Sequence, residues 1–406
     1  MPNNLIVLAM IFLEWLDFTL YIYLAKAVFS VQFFPHSNHS LMLTFALFAV
    51  AYLARPLGGW LFGQRADLKG RRNPMVFSAA LMGIATLGIC LLPGYDAWGY
   101  AATWSLLLLR FAQGLALGGE INTSGMFLIE HAPKQPVLAG SYVAASGALG
   151  MFAGGMLSAL IQNIANASAW RVVFATVGIF SLGVCRLRKQ LTESPEFAPK
   201  PPMPFSTFWQ HHKPGLINIA ILGAFVSVTV YLCNAYWIAF ASSYHLWSNT
   251  QCAWIGALCQ CASAALAIPI ARRATERACE HLLKSSMLLI AMVAPALFYA
   301  TATGHFFWVV LALAGYVLTN ALICSSLFYF LYRQLPAQYR CRGVSTLWAL
   351  AASLGAVFLP LAEYIVSHYN AYWFPGLLVS LTALSAWQMI RSHTSNIELT
   401  PQLTSV

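Results

Sequence analysis

About twelve apolar runs, each long enough to cross a lipid bilayer, follow one another along this chain of 406 residues. A helix that spans a membrane needs roughly 20 consecutive, mostly apolar residues. Only 8% of the residues are charged, whereas about a quarter are charged in soluble domains. We therefore predict an all-α membrane protein with twelve transmembrane helices, because helices and closed barrels alone satisfy their backbone inside lipid.

A polar stretch divides the apolar runs into two groups of six. Residues 187–214 are rich in Pro, Lys and Arg, which is typical of a linker. We predict an N-terminal six-helix bundle over residues 1–186, a cytoplasmic linker over 187–214, a C-terminal six-helix bundle over 215–391 and a short cytoplasmic tail over 392–406. Two similar halves are the pattern of repeat-built transporters, which bind substrate near the midplane between the halves.

The basic residues predict the orientation of the chain. The formal net charge is +10, and most Lys and Arg lie in alternate loops, as expected for cytoplasmic loops. Both termini are therefore predicted inside the cell, and the basic excess does not indicate a nucleic-acid partner. The first apolar run lacks a basic leader and a cleavage site, so we predict a retained helix. The nine cysteines show no metal-binding or disulfide spacing, and no cofactor or metal is expected.

The loop after the second apolar run carries a closely spaced set of glycines and charges, Gly63-x-x-x-Asp67-x-x-Gly70-Arg71-Arg72. Asp67 is the only acid there, and solvated pairing with its basic neighbours is its simplest role. The full spacing resembles the signature loop after the second helix of the major facilitator superfamily. The resemblance implies that Asp67 contacts the dipole of a helix in the other half. An acid is favoured at a helix N-terminus, and helix 11, predicted to start near Gly343, is a suitable acceptor.

Other segments resemble the metabolite:proton symporter family within that superfamily. They are Glu14-Trp-Leu-Asp-Phe18, Phe33-Phe-Pro35, Arg55-Pro-Leu-Gly58, Arg110-Phe-Ala-Gln-Gly-Leu-Ala-Leu-Gly-Gly-Glu120 and Glu193-Ser-Pro-Glu-Phe197. The resemblance is dense through the N-terminal half and thin afterwards. It implies a bacterial inner-membrane carrier that works by alternating access. Members of the family import citrate, 2-oxoglutarate, shikimate, proline or betaines with the proton gradient.

A few ionisable side chains fall inside the apolar runs. Each costs at least about 2.5–3.5 kcal/mol at the bilayer centre, so such groups normally face a cavity or a partner. At 100° per residue, Glu14, Asp17 and Tyr21 share one face of helix 1. Arg110, Gln113 and Glu120 likewise share a face of helix 4. We predict that proton coupling involves Asp17, Glu14, Arg110 and Glu120.

The depth of two of these groups predicts a pair. Asp17 lies about 20 Å above the cytoplasmic boundary and Arg110 about 10 Å below the outer one, at 1.5 Å per residue. These depths nearly coincide in a core of about 30 Å. Asp17 and Arg110 are therefore expected within reach, and a movement that separates them lets Asp17 take a proton. A static ion pair that fixes two helices is the alternative.

The remaining acids are assigned by position. Glu120 is a second candidate proton carrier, with a partnership with Arg55 or polar packing as alternatives. Glu130, at the inner end of helix 4, is expected to join a cytoplasmic gate. We predict that this gate comprises Arg55, Gly63, Asp67, Gly70, Arg71, Arg72 and Glu130.

The predicted function is proton-coupled uptake of a small polar metabolite. Substrate is expected to contact Tyr21, Arg110, Gln113, Tyr231, Asn234, Asn320 and Trp348. An organic anion such as a di- or tricarboxylate or a citrate-like chelator suits Arg110, whereas a zwitterion such as proline or betaine suits the aromatic groups and acids. Met151 replaces a proline of the antiporter motif, which favours import over export.

The expected partners follow from this function. They are the small-molecule substrate, a coupling proton or sodium ion and the lipid bilayer, and the protein is expected to be a monomer. The sequence contains no enzyme motif such as His-Glu-x-x-His, a P-loop or Gly-x-Ser-x-Gly, so an enzyme is not expected.

Overall fold

Twelve long helices make up the part of the chain that the structure describes. The computed structural model describes residues 2–35, 40–164, 168–197, 205–244 and 246–390. The helices are α1 (Pro2–Leu24), α2 (Ser40–Lys69), α3 (Arg72–Leu91), α4 (Tyr100–Glu130), α5 (Pro136–Gln162), α6 (Ala169–Arg188), α7 (Phe205–Val230), α8 (Asn249–Arg273), α9 (Ala278–Ala302), α10 (Phe306–Tyr332), α11 (Ala337–Tyr369) and α12 (Phe374–Met389). The described residues form no strand, so the all-α prediction is confirmed.

Two of these helices continue through a wider π-helical turn. The turn Ala25–Phe29 follows α1 and leads into Ser30–Gln32, and the turn Tyr231–Tyr236 joins α7 to Trp237–Ser243. A short helix, Tyr95–Trp98, precedes α4. Isolated π-turns within helices are frequent at functional sites, and the second one contains two of the predicted substrate contacts.

The outer surface of the bundle is apolar. Ten of the described helices are long and apolar enough to cross a membrane by length and composition. Leu108, Val172 and Phe307 are examples of large apolar side chains that are at least two-thirds exposed. Such a surface is unfavourable in water and suits the hydrocarbon of a bilayer. The protein is therefore a multi-pass membrane protein.

The two groups of helices meet along two seams. Helix α2 packs along α11, and α5 packs along α8. Close approach at the first seam requires glycine: a Cβ on Gly63 would lie 2.8 Å from the Cα of Arg342, and one on Gly59 would lie 2.7 Å from the backbone of Ser345. Small residues at such crossings let helix backbones come into contact.

Two boundaries differ from the sequence prediction. Helix α7 begins at Phe205, inside the predicted linker 187–214, because Phe208 is buried and packs against Tyr339 of α11. Helix α11 begins at Ala337, six residues before the predicted start, with Pro336 at its N-cap. Part of the predicted linker, residues 198–204, and the predicted tail, residues 392–406, lie outside the described residues.

Candidate functional site

A cavity of about 120 Å³ lies between the two halves. Its wall includes the aromatic side chains of Trp15, Tyr231 and Trp348. The polar side chains of the wall are Arg55, Asn122, Ser227, Tyr231, Gln260 and Asn320. Among the described residues that line the cavity, Arg55 is the only charged one. The site is thus an apolar chamber with a single cation and several uncharged hydrogen-bonding groups.

Arg55 is held in the cavity wall by aromatic rings. Its guanidinium lies 3.6 Å from the ring centroid of Tyr52 and 4.8 Å from that of Phe18. The hydroxyl of Tyr52 hydrogen-bonds to that of Tyr231 in the other half. The sequence analysis places Arg55 in the cytoplasmic gate, whereas in the structure it lines the cavity and precedes Asp67 by about three helical turns, a rise of roughly 18 Å.

A network of amides forms the opposite part of the wall. Gln260 Nε2 donates to the hydroxyl of Tyr316 at 3.1 Å, and Asn320 Nδ2 donates to Gln260 Oε1 at 3.0 Å. These bonds fix both amides and leave N–H groups that are not used within the network. On the N-terminal side, Asn122 Oδ1 is buried without a hydrogen-bond partner among the described residues. The sequence analysis missed Gln260 and Asn122.

A second polar cluster surrounds Asp17. The carboxylate accepts hydrogen bonds from Gln113 Nε2 at 2.9 Å and Thr86 Oγ1 at 3.3 Å, and Arg110 Nη1 lies 3.8 Å from it. Arg110 also donates to Gln113 Oε1 at 2.7 Å and stacks on the ring of Tyr21 at 3.6 Å. The expected proximity of Asp17 and Arg110 is confirmed. Their part in proton coupling stays a prediction.

A third cluster pairs Glu120 with Arg188, the last residue of α6. Both side chains are fully buried and form an ion pair. Ser78 and Ser124 also donate to the Glu120 carboxylate. The alternative that paired Glu120 with Arg55 was wrong, because Arg188 occupies that place. The sequence analysis places Arg188 in the linker 187–214, whereas in the structure it ends α6 and lies on the buried face of that helix.

The halves are joined at the end of the bundle that carries Arg71, Glu130 and Arg340, here called the basic end. Asp67 accepts backbone hydrogen bonds from Cys341 at 3.1 Å and Arg342 at 2.8 Å. The expected contact of Asp67 with helix 11 is therefore present. It involves amides of the second turn of α11, because that helix starts earlier than predicted.

Glu130 is the centre of the same end. It accepts hydrogen bonds from Arg71 at 2.5 Å, Arg340 at 2.8 Å and Ser194 at 2.6 Å. Arg340 belongs to the C-terminal half, so Glu130 links the halves by charge. The predicted contact of Glu130 with the Arg71–Arg72 loop is confirmed for Arg71 alone. Arg72 instead donates to the Leu191 carbonyl at 3.4 Å.

The segment after α6 crosses the basic end. Glu193 accepts the backbone N–H groups of Arg71 at 2.8 Å and Arg72 at 3.2 Å, and Glu196 accepts from Arg340 at 2.9 Å. Gly70 has a φ of +95°, and a Cβ there would meet the Glu193 carboxylate at 2.3 Å. Both observations explain why glycine occupies position 70.

A family model described as Major Facilitator Superfamily matches residues 7–360. The chain belongs to the major facilitator superfamily. The members of this superfamily are transporters and not enzymes.

Several known proteins resemble this chain, among them two curated relatives and one solved structure. The alpha-ketoglutarate permease of Escherichia coli K12 is 36% identical over 201 residues, 45% of this chain and 44% of that one. The shikimate transporter of the same strain is 27% identical over 380 residues, 89% and 86% of the two chains. The proton:xylose symporter XylE shares the fold, with a TM-score of 0.73, 18% identity and coverage of 96% and 95%. The match with the permease thus covers less than half of either chain.

In the structure, the residues predicted to contact substrate lie in different places. Tyr231, Asn320 and Trp348 line the cavity. Tyr21, Arg110 and Gln113 lie instead in the Asp17 cluster, and Asn234 bonds to Tyr23 at 3.1 Å and to the Gly256 carbonyl at 3.2 Å. Arg55 is therefore the arginine of the cavity wall, whereas the sequence analysis expected Arg110 in that role.

Proposed function

We propose that this transporter is a proton-coupled symporter for the uptake of a small organic anion by alternating access. The position of Arg55 is the observation on which this proposal rests. Arg55 is the only charged group among the described cavity-lining residues, and a guanidinium binds a carboxylate through paired, charge-assisted hydrogen bonds. The fixed amides of Gln260 and Asn320 are suited to a second polar group of the same substrate.

The two relatives described above support an anionic substrate. The alpha-ketoglutarate permease and the shikimate transporter are named for molecules that are carboxylates at neutral pH. A di- or tricarboxylate or a citrate-like chelator remains compatible with one arginine and several amide donors. Met151 lies in the cavity wall where antiporters of the fold have proline, and its presence favours uptake over export.

A zwitterion is the alternative substrate class. Trp15, Tyr231 and Trp348 present aromatic surfaces to the cavity, and such surfaces attract quaternary ammonium groups. Betaine or proline would need no acid in the wall if the rings held the ammonium and Arg55 held the carboxylate. The binding test below separates the two classes.

Thermal stabilisation of the purified protein tests the anion site. A ligand that binds only the folded state raises the Tm, so 2-oxoglutarate, shikimate, citrate, proline and glycine betaine serve as probes. Arg55→Gln is expected to weaken carboxylate binding roughly ten- to a hundredfold, because hydrogen bonds to charged groups contribute about 1.5–3 kcal/mol.

The exposed Arg65 provides the control for this test. Arg65→Gln removes the same charge outside the cavity and is expected to leave the affinity unchanged. Carboxylate binding that survives in Arg55→Gln would contradict the anion site. Stabilisation of the wild type by betaine or proline alone would replace the anion by the zwitterion.

For coupling, we infer that Asp17 and Arg110 form the conformation-sensitive pair. In the present conformation Asp17 has three partners and needs no proton. Separation of α1 from α4 removes Arg110 and Gln113 from the carboxylate, and protonation then becomes favourable. Sodium as the coupling ion is the alternative. Glu120, with its own arginine, is assigned to the inner side of the same proton route.

We further propose that the basic end is the cytoplasmic gate, with both chain termini in the cytoplasm. The positive-inside pattern supports this orientation. The gate comprises Gly63, Asp67, Gly70, Arg71, Arg72 and Glu130, now together with Arg340 and Glu193. Opening it breaks the hydrogen bonds of Asp67 to α11 and the ion pairs of Glu130.

Cys341 provides a native probe of this gate. Its side chain is fully buried, and its amide is bonded to Asp67. Asp67→Asn removes the charge from both hydrogen bonds, so alkylation of Cys341 is expected to be roughly ten- to a hundredfold faster. Mass spectrometry of the Cys341 peptide measures the rate.

The matched control for the gate is Glu280→Gln. Glu280 is an acid of α9 that pairs with Lys284 on the same helix, outside the seam of α2 and α11. Equal labelling rates in Asp67→Asn and the wild type would exclude Asp67 from the gate.

A further inference from the structure

Glu14 differs from every other buried acid among the described residues. Its side chain is fully buried, and neither carboxyl oxygen has a hydrogen-bond partner within the described ranges of the chain. Asp17, Asp67, Glu120 and Glu130 are equally buried, yet each accepts hydrogen bonds from an arginine, an amide or a hydroxyl group. A carboxylate ion without partners is not stable in a low-dielectric interior.

The charged groups around Glu14 do not donate to its carboxyl. The groups that act on it electrostatically are Glu120 on α4, Arg188 on α6, Arg55 on α2 and Asp17 on α1. Arg188 is already bonded to Glu120, and Arg55 stacks on Tyr52 in the cavity wall. Asp17 is paired with Arg110, and neither Arg188 nor Arg55 donates to an oxygen of Glu14. A negative charge at Glu14 would therefore have no hydrogen bond from the described residues to stabilise it.

We propose that Glu14 carries the transported proton in this conformation while Asp17 is ionised. This inference rests on the proposed proton coupling and identifies its second site. Asp17 and Glu14 are separated by three residues on α1, a rise of roughly 4.5 Å, with Glu14 nearer the basic end. The proton enters on Asp17 when Arg110 is withdrawn. When Arg110 returns, the Asp17 carboxylic acid loses its proton to the Glu14 carboxylate.

Glu14 then releases the proton when the basic end opens. Arg188 is bonded to α1 as well as to Glu120, because its Nη2 donates to the Val7 carbonyl at 3.3 Å. A movement of α1 relative to α6 changes the distance between Glu14 and this arginine. Access of water or of Arg188 to the carboxyl favours loss of the proton to the cytoplasmic side.

Infrared spectroscopy of the purified, substrate-free protein tests the assignment. A protonated carboxyl has a carbonyl band that is separate from that of a carboxylate. The wild type at neutral pH is expected to show this band, Glu14→Gln to lose it, and Asp17→Asn, one turn away, to keep it. Glu14→Gln retains the size and neutrality of the side chain, so its Tm is expected to stay within a few degrees of the wild type.

The possible results separate clearly. Absence of the band in the wild type, its persistence in Glu14→Gln, or its loss in Asp17→Asn as well would each overturn the assignment to Glu14. No substrate is present, so this result does not depend on whether the cavity binds an anion. Loss of carboxylate binding alone would leave the Glu14 assignment standing.

Discussion

Asp17→Asn is expected to abolish gradient-driven accumulation of substrate while exchange of substrate across the membrane continues. Asn has the size of Asp and can still accept from Gln113 and Thr86, but it cannot take up a proton. Alternating access therefore persists and the link to the proton gradient is lost. Protein reconstituted into liposomes measures accumulation under an acid-outside gradient and exchange in its absence.

The control for the Asp17 prediction is a variant of an exposed acid. Asp96→Asn changes an exposed acid outside the clusters described above and should accumulate substrate normally. Unchanged accumulation by Asp17→Asn would contradict the prediction and show that the Asp17–Arg110 contact is a static ion pair that fixes α1 to α4. Loss of both accumulation and exchange would indicate damage to the fold.

Arg188→Met is expected to lower the free energy of unfolding by about 3–5 kcal/mol, because it leaves the buried Glu120 carboxylate without its cation. Ser78 and Ser124 still donate to Glu120, but hydroxyl groups do not compensate its charge. The double variant Glu120→Gln/Arg188→Met removes the charge as well and is expected to recover most of the loss. Denaturant unfolding in detergent, followed by tryptophan fluorescence, measures both.

A double-mutant cycle over positions 120 and 188 shows whether the two side chains interact directly. Strong non-additivity between the two positions is the signature of a direct ion pair. Arg186→Met, which changes the exposed arginine two residues earlier, is the matched control. A loss in Arg188→Met no greater than that in Arg186→Met would contradict the pairing with Glu120.

Much of the N-terminal half could be predicted from sequence because helix geometry converts spacing into position. The rise per residue placed Asp17 and Arg110 at one depth, and they lie 3.8 Å apart. The contact of Asp67 with helix 11 was implied by the resemblance of the loop after the second helix to the superfamily's signature loop. The Asp17–Arg110 inference depends on regular helices crossing a layer of fixed thickness.

The cavity wall was harder to predict because it depends on how helices rotate against each other across the halves. Arg55 was grouped with the gate on the strength of its neighbours in sequence, although it lies about three turns away from Asp67. Gln260 and Asn122 are single amides in apolar helices, and one amide does not indicate which side of its helix faces the cavity. Arg188 was missed because α6 extends beyond its apolar run.

Uptake of 2-oxoglutarate and of shikimate into proteoliposomes, with and without an imposed pH gradient, tests the central claim most directly. We predict that at least one of them accumulates only when the outside is acidic, that a protonophore abolishes this accumulation, and that Arg55→Gln fails to accumulate it. Accumulation that is the same with and without the pH gradient, or that persists in Arg55→Gln, would contradict proton-coupled uptake of an organic anion at Arg55.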